Sequence, residues 1–349
     1  MKTRNLLATL ATVCATLCAL PASAQVSAQV SAQVSAQVSE HTFRLSTGDP
    51  ESSPGPTANK RFAELVEKAS GGKMKIRTYH SAMLGNDVQM QGMLQGGTVD
   101  FALVGAPTLV GLVKEFGVLD FPYSLRTPQE ADAMLDGTMG QSLLKKLDAK
   151  GLVGLGFWEI GFRQVTNSRR PINRWEDLAG LKIRTVQSPV FLDFFNGLGA
   201  NATPMAINEV YTALETKAID AQENPPSIVS AQKFFEVQKY LSLTSHIYTS
   251  YVLMASRKSW DKLGEAERRI VIDAAAQAGQ FERQLARTQN AALLAELKKQ
   301  MTVNEPSAAE MARFAEKAQA VRTKFSATLG EDFVRDWFAA LDKVRAGGK

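Results

Sequence analysis

The side chains best placed for chemistry in this sequence are an arginine and an asparagine, and the chemistry they could do is anion capture. Within GLKIRTVQSPVFLDFFNGLGANATPMAINEVYTALETKAIDAQENPP, from Gly180 to Pro226, Arg184 falls at the carboxyl end of an alternating run and Asn224 stands just before two prolines. A guanidinium pairs with a carboxylate through two parallel N–H bonds. A primary amide both donates to and accepts from a hydroxyl or carboxyl group. Each residue also has an ordinary use: arginines at strand ends pair with surface acids, and asparagine before proline is a common turn residue.

These residues need elements to place them. Residues 181–186 alternate as a strand, with Leu181, Ile183 and Thr185 on one face and Lys182 and Arg184 on the other. Ser188 reads as an N-cap and Pro189 as the first residue of a helix running through Phe191 and Phe194. A second strand at 202–205 precedes a helix capped by Asn208, with Val210, Leu214 and Ala218 in its buried stripe, and 219–223 is extended again. Asn224 is held extended by the proline that follows. Ligands of open α/β sheets bind beyond the carboxyl ends of strands, where helix N–H groups favour anions.

Strands at 41–47, 73–79 and 98–105 alternate with helices at 58–70 and 87–95, each helix stopped by a Gly-Gly pair. That spacing predicts βαβ units and a mostly parallel sheet. Asp87 reads as the N-cap of its helix. The glycine-rich strand at 151–157 is not a dinucleotide fingerprint, because GLVGLG lacks the GxGxxG spacing and opens no helix. Residues 248–256 form a strand that crosses back to the first lobe. The segment 264–301 predicts one long helix with a stripe of Ile270, Ala274, Ala278, Phe281, Leu285 and Ala292. Ser307 and Glu310 form a capping box for the next helix, Gly330 ends it, and Phe333, Trp337 and Leu341 mark the last.

Residues 1–24 read as a cleaved secretory signal: Lys2 and Arg4, an apolar run from Leu6 to Leu20, then Pro-Ala-Ser-Ala. Cys14 and Cys18 both lie inside it, neither preceded by a small residue, so the expectation is a soluble mature chain without cysteine. That excludes a disulfide framework, thiolate metal sites and a catalytic thiol. From Ala24 to Ser39 the AQVS repeat is uncharged low-complexity sequence, expected as a disordered lead-in. Loss of Lys2 and Arg4 lowers the net charge from +5 to +3, with no lysine runs or interleaved aromatics to suggest nucleic acid. His41, His80 and His246 fit no metal spacing, and GxSxG and HExxH are absent, which leaves an enzyme little to work with and implies no cofactor.

The segments GLKIRTVQSP, LGANATPMAINEVYTALETKAIDAQENP and GFRQVTNS, with LGNDVQM and GGTVDFAL earlier on, closely resemble the DctP-type solute-binding proteins of TRAP (tripartite ATP-independent periplasmic) transporters. The resemblance covers essentially the whole mature chain. It implies an α/β, two-lobed periplasmic binding protein fold with a cleft between the lobes and a long helix spanning both. Lobe 1 would take 40–160 with about 250–289, and lobe 2 would take 161–249 with about 290–349. The ligand would be a small organic acid, a uronic or other sugar acid by preference, with a C4-dicarboxylate, a 2-oxo acid or an aromatic acid as alternatives. It would be handed to a sodium-coupled permease with small and large membrane subunits; a ligand-sensing co-receptor for a membrane kinase is the other use of such a site. Arg184 would grip the carboxylate and Arg163, in GFRQ, would assist it, although sequence alone favours a structural ion pair for Arg163. Asn224, Gln187, Asp87 and Glu51 would meet hydroxyl or carboxyl groups, and Ile207 would supply apolar wall. Gly105 stands where some relatives carry an acid, so part of their hydroxyl recognition is rearranged.

Overall fold

The computed structural model describes residues 38–347. The expected signal and most of the AQVS repeat lie outside the described residues, but the end of the repeat does not. Val38 is buried, and the Ser39 N–H donates to Glu267 Oε1 at 2.7 Å. These two residues belong to the fold, against the expectation of a disordered lead-in reaching Ser39; a buried apolar side chain and a charge-assisted hydrogen bond hold them.

In chain order come β1 (His41–Thr47), α1 (Pro54–Ala69), β2 (Met74–Tyr79), α2 (Asp87–Gly96) and β3 (Phe101–Gly105). Helix α1 begins a turn earlier than expected, because Pro54 suits a first helical position, where no N–H is needed. Two short helices, Pro128–Asp136 and Thr138–Lys146, lead to β4 (Leu152–Phe162), β5 (Gln164–Asn167), β6 (Lys182–Thr185), α3 (Pro189–Gly197), β7 (Asn201–Pro204), α4 (Ile207–Glu215) and β8 (Ala221–Asn224). The rest is β9 (Tyr240–Ser242), β10 (Tyr248–Ser256), α5 (Glu265–Gln300), β11 (Thr302–Asn304), α6 (Ala308–Leu329) and α7 (Glu331–Arg345).

Two sheets form, in the orders β2-β1-β3-β10-β4 and β11-β9-β5-β8-β6-β7. The parallel βαβ pattern holds for β1 with β2 and β3, and for β6 with β7 and β8. The mostly parallel expectation fails at the crossings. β10 runs antiparallel to both β3 and β4, and β5 antiparallel to β8 and β9. The chain leaves the first sheet along β4 and returns along β10, so these neighbours point opposite ways. One residue, Arg163, separates β4 from β5, and its N–H donates to Ile247 O at 2.9 Å. The junction between the sheets is thus two adjacent strands with Arg163 in the middle.

At Gly161 the backbone takes φ +114°, and a Cβ there would stand 2.9 Å from Asn290 Nδ2. Asn290 accepts from the Ser227 N–H at 2.9 Å and donates to Ile160 O at 3.3 Å, joining α5 to β4 and to the segment after β8. Gly154 has a different reason to be small: a Cβ would meet Leu144 at 2.8 Å, so close packing of the helix Thr138–Lys146 explains it.

Helix α5 is 36 residues long and packs on α1 and β4 of one lobe and on the short helix Pro226–Ala231 and β11 of the other. At 1.5 Å per residue it reaches roughly 54 Å. Its expected stripe holds for Ile270, Ala274 and Ala278 but not beyond, where Glu282 and Ala286 are buried and Phe281 is exposed. A carboxylate replaces the apolar residue because Glu282 Oε2 accepts from the Glu159 N–H at 2.6 Å. Arg283 grips Asp136 at 2.6 and 2.7 Å, and Arg287 bridges Asp132 and Glu159, each at 2.7 Å, so ion pairs clamp this half of the helix to β4 and Pro128–Asp136. Only half of the capping box on α6 forms: Ser307 Oγ accepts from the Glu310 N–H, while the Glu310 carboxylate turns to Arg313.

Candidate functional site

Where the two lobes meet, a cavity of about 50 Å³ is lined from one side by Asp49, Asp87, Thr108, Thr249 and Tyr251 and from the other by Arg163, Arg184, Gln187, Ile207 and Asn224. Six of the seven residues singled out by sequence are therefore brought together. Glu51 is not. Its carboxylate lies on the surface, where it pairs with Lys60 and sits 3.4 Å from His80 Nε2. Lys60 on the helix beside it supplies the charge that a ligand would have to meet.

Arg184 is 2% exposed at the end of β6. Its Nε and Nη2 both donate to the carbonyl of Met205, at 2.9 and 2.6 Å, and among the described residues Nη1 has no hydrogen-bond partner. Burial draws its pKa down to about 10, against the pull of Glu223. It stays charged at neutral pH.

Arg163 grips Glu223 with one edge of its guanidinium, Nε to Oε2 and Nη2 to Oε1 at 2.9 Å. Nη2 also reaches the Glu223 carbonyl at 2.6 Å and Asn224 Oδ1 at 3.0 Å, and the guanidinium lies over the Phe191 ring. The structural ion pair that sequence favoured is present, and the arginine lines the cavity as well. Burial would raise the Glu223 carboxyl, but Arg163 and His246 beside it hold it below its ordinary value. His246 is driven the other way: burial lowers it, and Glu223 only partly offsets this. A neutral imidazole facing an ionised carboxylate must donate through Nε2, at 3.0 Å, and accept through Nδ1 from Thr244 Oγ1, at 2.8 Å.

Asn224 spends most of its amide on the protein, with Oδ1 on Arg163 and Nδ2 on Gln222 Oε1 at 2.7 Å. Gln187 is half-buried, and among the described residues its side chain has no hydrogen-bond partner. Ile207 opens α4, so Asn208 is not the cap; Ala206 stands at that position without a side-chain bond. Ser188 does precede α3, yet its hydroxyl donates to Asp120 Oδ2 at 2.6 Å instead of capping. Burial lifts Asp120 to a pKa of about 8.

The N-cap of α2 is Asn86, which forms a capping box with Gln89, and not Asp87. That frees Asp87 for the cavity, where Oδ2 accepts from the Gly105 N–H at 2.8 Å. Side chains at Gly48 or Gly105 would crowd it, at 2.8 Å from Oδ1 and 3.4 Å from Oδ2. Enclosure, then the neighbouring Asp49, raise Asp87 to about 7. Asp49 is buried, accepts from the Tyr251 hydroxyl, and is raised chiefly by burial. Asp49, Thr249 and Tyr251 were missed by sequence reading. Asp49 follows the end of β1 as Gln187 follows β6, so the strand-end logic applied to Arg184 reaches it.

Among the described residues no cluster of three or more His, Cys, Asp or Glu could hold a metal, and no helix is long and apolar enough to cross a membrane. The donor set suits an organic anion with hydroxyls. Two mixed α/β lobes, two crossing strands, a spanning helix and a charged cleft at the junction define a two-lobed solute-binding protein.

Residues 45–328 match the DctP family, bacterial extracellular solute-binding protein, family 7, and the chain belongs to it. A sugar acid binding protein from Advenella mimigardefordensis strain DPN7T, solved with galactonate, is 40% identical and superimposes with a TM-score of 0.86, covering 88% of this chain and 99% of that one. A TRAP periplasmic solute binding protein from Sulfurospirillum deleyianum DSM 6946, solved with succinate, is 28% identical with a TM-score of 0.83, covering 87% and 100%. The 2,3-diketo-L-gulonate-binding periplasmic protein YiaO of Escherichia coli (strain K12) is 40% identical over 228 residues, 65% of this chain and 70% of its own.

Proposed function

We propose that this protein works in the periplasm, captures a small organic acid, by preference a sugar acid, and delivers it to a sodium-coupled TRAP permease of small and large membrane subunits. The observation that carries the reading is the pair of buried arginines in one cavity, each with a terminal nitrogen that the protein leaves unclaimed. Arg184 takes the carboxylate and Arg163 assists, already oriented by Glu223. Gln187 and the remaining hydrogen-bonding capacity of Asn224 meet neighbouring oxygens, and Ile207 closes an apolar side. Closing the cleft removes water from these pairs, and truncating one partner of such a pair costs about 2–5 kcal/mol. A neutral sugar would leave the buried Arg184 unpaired. The hydroxylated ligands named for the Advenella and Escherichia relatives favour a sugar acid here too.

The test is a thermal-shift panel of galactonate, galacturonate, glucuronate, succinate, pyruvate and neutral galactose, on this chain and on Arg184→Ala. Ligand at 100 times its Kd stabilises by about 2.7 kcal/mol, a shift of a few degrees. Sugar acids should shift the parent and not the variant. Equal shifts with galactose would refute the arginine-carboxylate reading.

A further inference from the structure

We propose that Asp49 and Asp87 act as one acid pair that receives the hydroxyl end of a monocarboxylate and turns away a ligand with carboxylates at both ends. This rests on the reading above and names the substrate class of the same site. The cavity is polarised across its width. Its cations are Arg184 on β6 and Arg163 at the junction of the sheets, while the lobe facing Arg184 contributes two carboxyl groups and no Lys, Arg or His. Among the described residues no ion pair within 4 Å joins the acids to the arginines, so the charges face each other without touching.

Both acids are held in place from behind. Asp87 hangs on the Gly105 N–H, with Gly48 leaving room on its other side, and Asp49 is held by the Tyr251 hydroxyl. Beside them Thr249 Oγ1 is buried and, among the described residues, has no hydrogen-bond partner. Carboxylates accept from hydroxyls, and a carboxyl group that keeps its proton can also donate once, which matches a polyol chain. A second ligand carboxylate is anionic and only accepts, so it meets two acids and a hydroxyl already committed to Asp49.

The groups facing Asp87 are Asp49 on the loop after β1 and Arg184 on β6; those facing Asp49 are Tyr251 on β10 and both arginines. With Asp87 raised to about 7, a rise through neutral pH adds a negative charge to a cavity that must accept an anion. Affinity for the acid therefore falls as pH rises.

The experiment is titration calorimetry with galactonate and succinate at about pH 6 and about pH 8.5 on this chain, Asp87→Asn and Asp49→Asn. The parent should prefer galactonate by about 50-fold or more and lose roughly three- to tenfold affinity at the higher pH. Asp87→Asn keeps an acceptor for the Gly105 N–H and should flatten the pH response and narrow the preference; Asp49→Asn should narrow it likewise. Succinate bound as tightly as galactonate by the parent, or variants that keep both slope and preference, would overturn the acid pair alone. If the parent binds neither acid, the reading above falls with it.

Discussion

Arg184 gives two of its nitrogens to the carbonyl of Met205, which fixes the plane of the guanidinium before any ligand arrives. Pre-set geometry of this kind lowers the ordering cost of binding. Arg184→Ala should lose about 30-fold or more in affinity by calorimetry, from the 2–5 kcal/mol above. Glu223→Gln keeps shape but removes the charge that holds Arg163; we expect roughly tenfold weaker binding and an unchanged ranking of ligands. A changed ranking would mean that Glu223 does more than position. Asp120 and Asp87 predict a pH effect on stability. Their folded pKa values, about 8 and about 7, lie above the ordinary aspartate value, so the folded state holds protons that the unfolded chain releases. Their stabilisation is full below about pH 4 and fades as pH rises toward 8. Asp120→Asn cannot ionise, so its Tm should fall less between about pH 6 and about pH 8.5 than the parent's.

At the scale of elements, Gly161 is the most constrained backbone position at the junction. Gly161→Ala meets both a left-handed φ and Asn290, and should cost about 1–3 kcal/mol in chemical denaturation. Parent-like stability would show that the crossing strand can relax. The elements were legible wherever periodicity set them: β1 and β10 fall at 41–47 and 248–256 as expected, and α5 at nearly its expected span. What sequence could not reveal depends on partners far along the chain. Glu282 looks like a surface residue until the Glu159 N–H is placed against it, and Asp87 looks like a cap until Asn86 takes that position. Asp49 acquires meaning only when β10 brings Tyr251 to it across 202 residues. Glu51 shows the reverse error, since the nearby Lys60 satisfies it.

For the molecule as a whole, the crossing strands and α5 make the lobes dependent on each other. Asn290 ties helix, strand and the segment after β8 at one point, and Arg283 and Arg287 clamp the helix to β4. Heating monitored by calorimetry should therefore give a single cooperative transition, despite the two sheets. Two resolved transitions would show lobes that melt independently. Replacing Arg283 and Arg287 together by alanine should lower that transition while leaving the arginine site intact.

The opposed walls of the cleft also give it a direction. Acids on one side and bases on the other set up an electric field across the gap, and a molecule negative at one end and hydroxylated at the other is turned by that field as it enters. Head and tail are sorted before contact.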